Sequence, residues 1–230
     1  MAEFVHEVLG HCLFVYLFGG RVTEIFISPL APYIPSRLVW EVAGTPLLEK
    51  ALIASAGIAA SLAVSFIIQI VQSRRALRPE LMVALFWVSF WTFVNTVAYM
   101  IIGLVLPFGD IEILMQLGVV SNLQLGVSGL IVAIPGLYLI SKRLTEILSR
   151  IFLPGNVELF VTLFWILLPT PMILTETLRS TGPPTPMIGG SILLLLLPST
   201  YLVTSYVVYL ISGLDLREKY VRLRAADQGA

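Results

Sequence analysis

Residues 81–106 read LMVALFWVSFWTFVNTVAYMIIGLVL, a run of 26 residues without a single Asp, Glu, Lys or Arg. About 20 predominantly apolar residues in a helix cross the hydrocarbon core of a bilayer. Four more runs have this character, and they cover residues 47–72, 113–140, 157–178 and 187–214. The run 113–140 is broken or lengthened by Gly118, Gly126, Gly129 and Pro135. Such runs are too long and too aliphatic for barrel strands, which alternate over about 10 residues. The sequence therefore predicts an all-α polytopic membrane protein, with the lipid bilayer as its surroundings.

The composition of the whole chain agrees with this class. Of its 230 residues, 57% are hydrophobic and 12% are charged, whereas about 25% of residues are charged in globular domains. The formal net charge is zero, so no overall field attracts an anionic partner. These values exclude a soluble globular domain, a disordered chain and a nucleic-acid-binding protein. The single cysteine excludes an intramolecular disulfide and a cysteine-rich metal site.

Basic residues orient the predicted helices. Ten of the 14 Lys and Arg lie on one side of them: Arg74, Arg75, Arg78, Lys142, Arg143, Arg150, Arg217, Lys219, Arg222 and Arg224. The positive-inside rule places that side in the cytoplasm. With a shorter apolar segment at residues 2–18, the pattern predicts about six transmembrane helices and a cytoplasmic C-terminus, in the plasma membrane of a prokaryote.

A different pattern follows the first apolar segment. Residues 21–28, RVTEIFIS, alternate polar and apolar side chains and include β-branched residues, which is typical of a strand. We therefore expect a short strand or hairpin at the membrane boundary after helix 1. The edge of such a strand needs hydrogen-bond partners. An extended substrate segment is one such partner, and it would bind beside Val22, Ile25 and Ile27.

The chain contains two histidines, and both lie in residues 6–11, HEVLGH. Imidazoles and a carboxylate are costly to bury at membrane depth without partners. Zinc binds neutral imidazoles, and the adjacent Glu7 could act on a water at the metal, as in H-E-x-x-H enzymes. Residues five apart differ by about 140° around an α-helix. A π-bulge would return His6 and His11 to one face, and Gly10 would tolerate it.

The hexapeptide is similar to the H-E-L-L-G-H motif of the dipeptidyl-peptidase III family, in which both histidines bind zinc. Other motifs follow in order: residues 19–29, GGRVTEIFISP; residues 56–61, AGIAAS; Asn95; and residues 106–110, LPFGD. This order, over roughly residues 4–118, resembles the site-2 protease family of intramembrane zinc metalloproteases. That family has H-E-x-G-H, a Gly-led strand, Ala-Gly-Pro-x-Ala-Asn/Ser and an Asn followed by Asp-Gly.

The resemblance implies particular roles for five residues. His6, His11 and Asp110 would hold Zn²⁺, Glu7 would be the general base, and Asn95 would bind the substrate. The chain departs from the family in the longer histidine spacing, in the distance from Asn95 to Asp110, and in an Ile after Asp110. Only five residues precede His6, where the family has most of a helix.

Because so few residues precede His6, the metal ligands could lie at opposite faces of the membrane. If residues 2–18 spanned the membrane, His6 would lie near one face and Asp110 near the other, about 30 Å away. The conflict disappears if helix 1 is short or re-entrant, or if the natural chain begins upstream. Both alternatives place the site towards the extracytoplasmic face. Ligand atoms within about 3–4 Å of one another would suit a zinc site with bonds of about 2.0–2.2 Å.

Several alternatives stay open at the level of single residues. Glu7 could be a structural partner of His11, Glu112 competes with Asp110 as third ligand, and Asn95 could make an interhelical hydrogen bond. Glu3 could begin the Glu-x-x-His of a di-iron bundle, but the sequence has no second copy.

The favoured interpretation is an intramembrane zinc metalloprotease that hydrolyses membrane-protein or peptide substrates. It assigns residues 1–118 to a metalloprotease-like membrane core, residues 119–214 to additional transmembrane helices and residues 215–230 to a basic cytoplasmic tail. One alternative is a non-catalytic metal-binding pseudoprotease that binds transmembrane partners. Another is a transporter with a His/Glu proton relay, which would bind no metal and would be expected to show inverted repeats.

Overall fold

The structure is a computed structural model that describes residues 1–28, 36–42, 44, 46–74, 77–103, 107, 109–149 and 154–168. The chain begins with a helical segment in three parts. Helix α1 (Ala2–Phe4) continues into a π-helix (Val5–Cys12), which continues into α2 (Leu13–Leu17). We call these three parts together the first helical segment. It ends at Leu17 and is followed by a turn in which Gly19 has a positive φ of 70°, a conformation that favours glycine.

A two-stranded antiparallel hairpin follows, as the alternating pattern predicted. Strand β1 (Arg21–Phe26) pairs with β2 (Arg37–Glu41), and the register is irregular between Val22 and Glu24. Arg21 pairs with Glu41 across the strands, and Arg37 pairs with Glu24. The hairpin therefore carries matched opposite charges on its exposed side chains.

The remaining described elements are helices: α3 (Leu47–Arg74), α4 (Pro79–Gly103), α5 (Gly109–Gln116), α6 (Asn122–Leu148) and α7 (Pro154–Leu167). Three helical stretches are long and apolar enough to cross a membrane: Leu47–Arg74, Pro79–Val97 and Asn122–Leu148. The fold is therefore mainly helical and of the membrane type. The predicted span 187–214 and the tail 215–230 lie outside the described residues, and so does the second half of 157–178, so six spans stay a prediction.

One apolar run divides at Gly118, which is among the residues predicted to break or lengthen it. The apolar run 113–140 is not a single helix, because α5 ends at Gln116 and α6 begins at Asn122. Gly118 adopts a positive φ of 69° in the intervening turn. Ser121 then caps α6, since its hydroxyl accepts from the Gln124 backbone N–H while the Gln124 side chain accepts from the Ser121 backbone.

Polar side chains join α3 to α4 in an antiparallel pair. Ser65 donates to the Ser89 carbonyl at 2.9 Å, and Gln69 donates to the Ser89 hydroxyl at 2.7 Å. Further along, Gln72 donates to the Met82 carbonyl at 2.7 Å. These buried bonds give partners to polar hydrogens that hydrocarbon could not solvate. They also fix the register that brings the start of α3 beside the end of α4.

Two apolar clusters complete the packing. The larger lies between α4, α6 and α7 and is rich in aromatic side chains, with Phe86, Phe90, Phe93 and Trp165 fully buried. The smaller joins α5 to α3 and to the ends of α4 and α6; it contains Ala51, Ala54, Met100, Ile111, Leu114 and Leu125. The smaller cluster holds α5, and with it Asp110, against the start of α3.

Candidate metal centre

The π-helix places both histidines on one face. Residues Val5–Cys12 form this wider helix, and the Nε2 atoms of His6 and His11 lie 3.2 Å apart. In a regular α-helix the two side chains would diverge by about 140°. The predicted π distortion is therefore confirmed, and it compensates for the additional residue between the histidines.

Asp110, in α5, approaches the two imidazoles although it lies 104 residues after His6 in the chain. Its Oδ2 lies 2.9 Å from His6 Nε2 and 3.1 Å from His11 Nε2. The residue is the second of α5 and follows Gly109, which has a positive φ of 53°; a Cβ there would lie 3.2 Å from the Tyr99 ring. Asp110 and the two histidines are therefore not separated by a membrane thickness. The three side chains could instead hold one metal ion.

A backbone contact fixes the tautomer of His11. Its Nδ1 lies 2.7 Å from the Ile53 carbonyl oxygen of α3. A carbonyl can only accept, so Nδ1 carries the proton and donates it. The neutral imidazole then presents the lone pair of Nε2 to His6 and Asp110. Metal-binding histidines commonly have this second contact, because it orients the ring and raises its basicity.

Two glycines let the first helical segment approach α3 closely. A Cβ on Gly10 would lie 2.5 Å from Gly57 Cα, and a Cβ on Gly57 would lie 2.5 Å from His11 Nε2 and 2.7 Å from His6 Nε2. Side chains do not tolerate such distances. Gly57, within residues 56–61, is therefore the wall against which the two imidazoles pack.

The charges of the cluster call for a cation or a proton. Two imidazole nitrogens and one carboxylate oxygen face each other at about 3 Å. Asp110 lies outside the three candidate spans; burial raises the pKa of its carboxyl, but hydrogen bonds donated by the His11 and His6 rings and their positive charge outweigh burial and lower that pKa to about 2. Asp110 is thus a carboxylate at neutral pH. A divalent ion could take the place of the protons on the two Nε2 atoms, since it suits one carboxylate and two imidazole lone pairs.

Glu7 lies in the same buried turn as the histidines. Its carboxylate is close enough to interact with the charges of His6, His11 and Asp110. The competing acid, Glu112, is exposed and accepts a hydrogen bond from Gln116 at 3.0 Å. Among the described residues, Glu112 is not part of the group that converges on the histidines.

The other predicted site residues have different surroundings. Asn95 is buried on α4, where its Nδ2 donates to Glu3 Oε1 at 3.1 Å. In the hairpin, Val22 is half-buried, whereas Ile25 and Ile27 are exposed. Strand β2 packs against the π-helix, so the hairpin lies beside the helix that carries the histidines.

Sequence reasoning missed two residues near the centre. Glu3 received only a di-iron interpretation, although it lies one turn before Glu7 in a segment with few charges. Tyr99 belongs to none of the motifs, and its ring centroid lies 5.5 Å from that of His6. Tyr99 follows Asn95 by one helical turn, so the shared face of α4 was the available signal.

Comparison of the chain with family models, curated proteins and solved structures finds no match. The resemblance to site-2 proteases therefore depends on the motifs in this sequence alone.

Proposed function

We propose that this chain is an intramembrane zinc metalloprotease. The observation that carries the proposal is the convergence of His6 Nε2, His11 Nε2 and Asp110 Oδ2 within 3.2 Å of one another, with Glu7 in the same buried turn. Two histidines and one carboxylate form a ligand set that catalytic zinc uses. The order of the surrounding motifs, which resembles site-2 proteases, supports the same assignment.

The roles of the side chains follow from their chemistry. His6, His11 and Asp110 would hold the ion, and zinc would supply Lewis-acid polarisation of water and of the scissile carbonyl. Glu7 would accept the proton of the attacking water and deliver it to the leaving amine. The Ile53 carbonyl would keep His11 in the tautomer that leaves Nε2 free to bind the ion.

The proposed substrates are membrane-spanning proteins or their remnants. The centre contacts α3 at Gly57, ten residues after Leu47, which is a depth of about 15 Å along the helix. That end of α3 is opposite to Arg74. By the positive-inside rule the site would lie in the extracytoplasmic half of the membrane. An unwound substrate segment could add to the hairpin as a strand beside Ile25 and Ile27.

Substitution of Glu7 tests the proposal directly. We expect the purified wild-type protein, reconstituted in lipid, to bind one zinc ion per chain and to cleave a model single-span substrate. Glu7→Gln should abolish cleavage and keep the zinc, because glutamine is nearly isosteric but cannot accept the proton. The exposed Glu112→Gln is the matched control and should cleave normally. Cleavage by Glu7→Gln at the wild-type rate would overturn the assignment of the base.

The second candidate is a metal-binding membrane protein without catalytic activity. The burial of the centre favours it, because His6, Glu7 and His11 are only 2%, 5% and 4% exposed and a hydrolase must admit its substrate. Wild-type protein that binds zinc and cleaves no transmembrane substrate would support this candidate. Protein that binds no metal would support a proton-relay transporter instead.

A further inference from the structure

A second buried polar pair lies beside the proposed catalytic turn. Asn95 Nδ2 on α4 donates to Glu3 Oε1 at 3.1 Å, and both side chains are buried. Glu3 lies in α1, four residues before Glu7, so the two carboxylates lie on neighbouring turns of the first helical segment. Their charges are close enough to interact. The proposed function assigns no role to Glu3.

The pair connects the two parts of the chain that form the metal centre. Glu3 precedes His6 by three residues, and Asn95 lies on the helix that leads to Asp110. Tyr99, one turn after Asn95, packs its ring against His6 at 5.5 Å. The same face of α4 thus contacts the first helical segment at Glu3 and at His6. Movement of one contact would move the other, because a helix transmits displacement as a rigid element.

The hydrogen bond also restricts the Asn95 amide. An asparagine amide has two N–H donors and one carbonyl acceptor in a single plane. Since one N–H donates to Glu3, the plane can no longer rotate freely, and the directions of the second N–H and of Oδ1 are set. Interhelical hydrogen bonds contribute little to the stability of membrane proteins. The main consequence of this bond is therefore the orientation of the amide.

We infer that Glu3 is a positioning residue, which orients the Asn95 amide towards the substrate peptide and holds the turn of Glu7 beside the metal ligands. The inference rests on the proposed function and adds a residue that the motifs do not include. Glu3 acts through its hydrogen bond to Asn95, which also holds the first helical segment against α4. Its effect must therefore depend on the presence of Asn95.

A double-mutant cycle on cleavage tests this dependence. Glu3→Leu should lower kcat about tenfold at saturating zinc and leave KM within about twofold, which is the size of effect that outer-shell partners have at metal sites. Glu3→Gln should recover most of the loss, since its carbonyl oxygen can accept the same hydrogen bond. In an Asn95→Leu background, Glu3→Leu should lower kcat no further. Glu80→Leu, which removes an exposed glutamate from α4, is the matched control and should leave kcat unchanged.

Two results would overturn the inference. One is a loss of kcat on Glu3→Leu that is equally large with and without Asn95. The other is a lower midpoint of thermal unfolding for Glu3→Leu with unchanged kcat, as expected for a residue that only stabilises the fold. If Glu3→Leu fails to fold, Glu3→Gln takes its place in the test. Its kcat is then measured in the wild-type background and in the Asn95→Leu background. A small change in kcat that depends on Asn95 supports the inference, and an equal change in both backgrounds overturns it.

Titration with Co²⁺ separates this inference from the proposed function. Wild-type protein that binds Co²⁺ but cleaves no substrate would overturn the proposed protease function. The positioning role of Glu3 would then be tested by Co²⁺ affinity. In that case we expect about tenfold weaker Co²⁺ binding for Glu3→Leu, no further weakening in the Asn95→Leu background, and wild-type binding for Glu80→Leu. Equal Co²⁺ affinity for wild type and Glu3→Leu would then overturn the inference.

Discussion

Charged side chains meet both in the candidate metal centre and in the hairpin, and these two regions have opposite surroundings. In the metal centre, Asp110 is 14% exposed and lies 2.9 Å from His6. In the hairpin, Arg21 lies 2.6 Å from Glu41, but the two side chains are 76% and 59% exposed. The distances are alike, whereas water screens the hairpin pair and weakens it. Distance alone therefore does not distinguish a functional cluster from a solvated ion pair.

The two regions also differ in their balance of charge. In the hairpin each guanidinium has a carboxylate partner, so the charges cancel within the protein. In the metal centre a carboxylate and two imidazoles converge, and none of the three carries a permanent positive charge. Such a group becomes stable at membrane depth when a cation or a proton joins it. A bound cation would supply the positive charge that this group of side chains lacks.

The largest expected effect is at Asp110. Asp110→Asn keeps the size of the side chain but removes the charge that the ligand set contributes. We expect metal affinity to fall by at least about a hundredfold, since even outer-shell substitutions cost about 10–100-fold. Titration of purified protein with Zn²⁺ or Co²⁺ measures it. Glu112→Gln, two residues further on, should bind like wild type, and equal affinities of the two variants would remove Asp110 from the centre.

A smaller effect is expected at Gly57. A methyl group there would lie within 2.7 Å of both His6 and His11, so the rings or the helix must shift. Gly57→Ala should weaken metal binding about tenfold, which is the effect of a disturbed ligand orientation, although alanine favours a helix. Ala59→Val adds volume at an exposed position on the same helix and serves as the control. Metal affinity that is equal in both variants would contradict the close packing of Gly57 against the imidazoles.

In the hairpin we expect an effect on substrate affinity and none on the metal. Ile25→Asp places a charge on the exposed strand that is proposed to pair with the substrate. KM should rise severalfold while kcat and zinc content stay unchanged, because the variant disturbs binding at a distance from the chemistry. Steady-state kinetics in lipid discs measures both constants. A fall in kcat with constant KM would show that the hairpin does not act by binding the substrate strand.

The smallest effect is expected for the hairpin ion pairs. Arg37→Gln breaks the contact with Glu24, and exposed pairs contribute about 0.2–1 kcal/mol. The free energy of unfolding, measured by thermal unfolding, should change within that range. The cleavage kinetics should match those of the wild type. A loss of cleavage comparable to that of Asp110→Asn would show that the exposed pair is functional, and the contrast between the two regions would disappear.

Local patterns predicted several elements correctly. The spacing of His6 and His11 predicted a π distortion, because only a wider helix brings positions five apart to one face. The alternation in residues 21–28 predicted β1. A hairpin was one of the two expected forms, but the alternation did not locate β2, because residues 37–41 pair with β1 only after an intervening segment with its own prolines. Gly118 was one of four residues predicted to break or lengthen the run 113–140, and hydrophobicity on both sides of the turn did not distinguish it from the other three.

The sequence by itself determined a helical membrane protein, a distorted histidine helix and a short strand, because these depend on apolar length and on local periodicity. Only the tertiary structure decided that Asp110, rather than Glu112, meets the histidines, and that Glu3 pairs with Asn95. These contacts join residues 92 to 104 positions apart. They depend on how closely Gly10 and Gly57 let two helices approach and on the register of α3 against α4. Packing of that kind is a property of surfaces in space, which no local pattern contains.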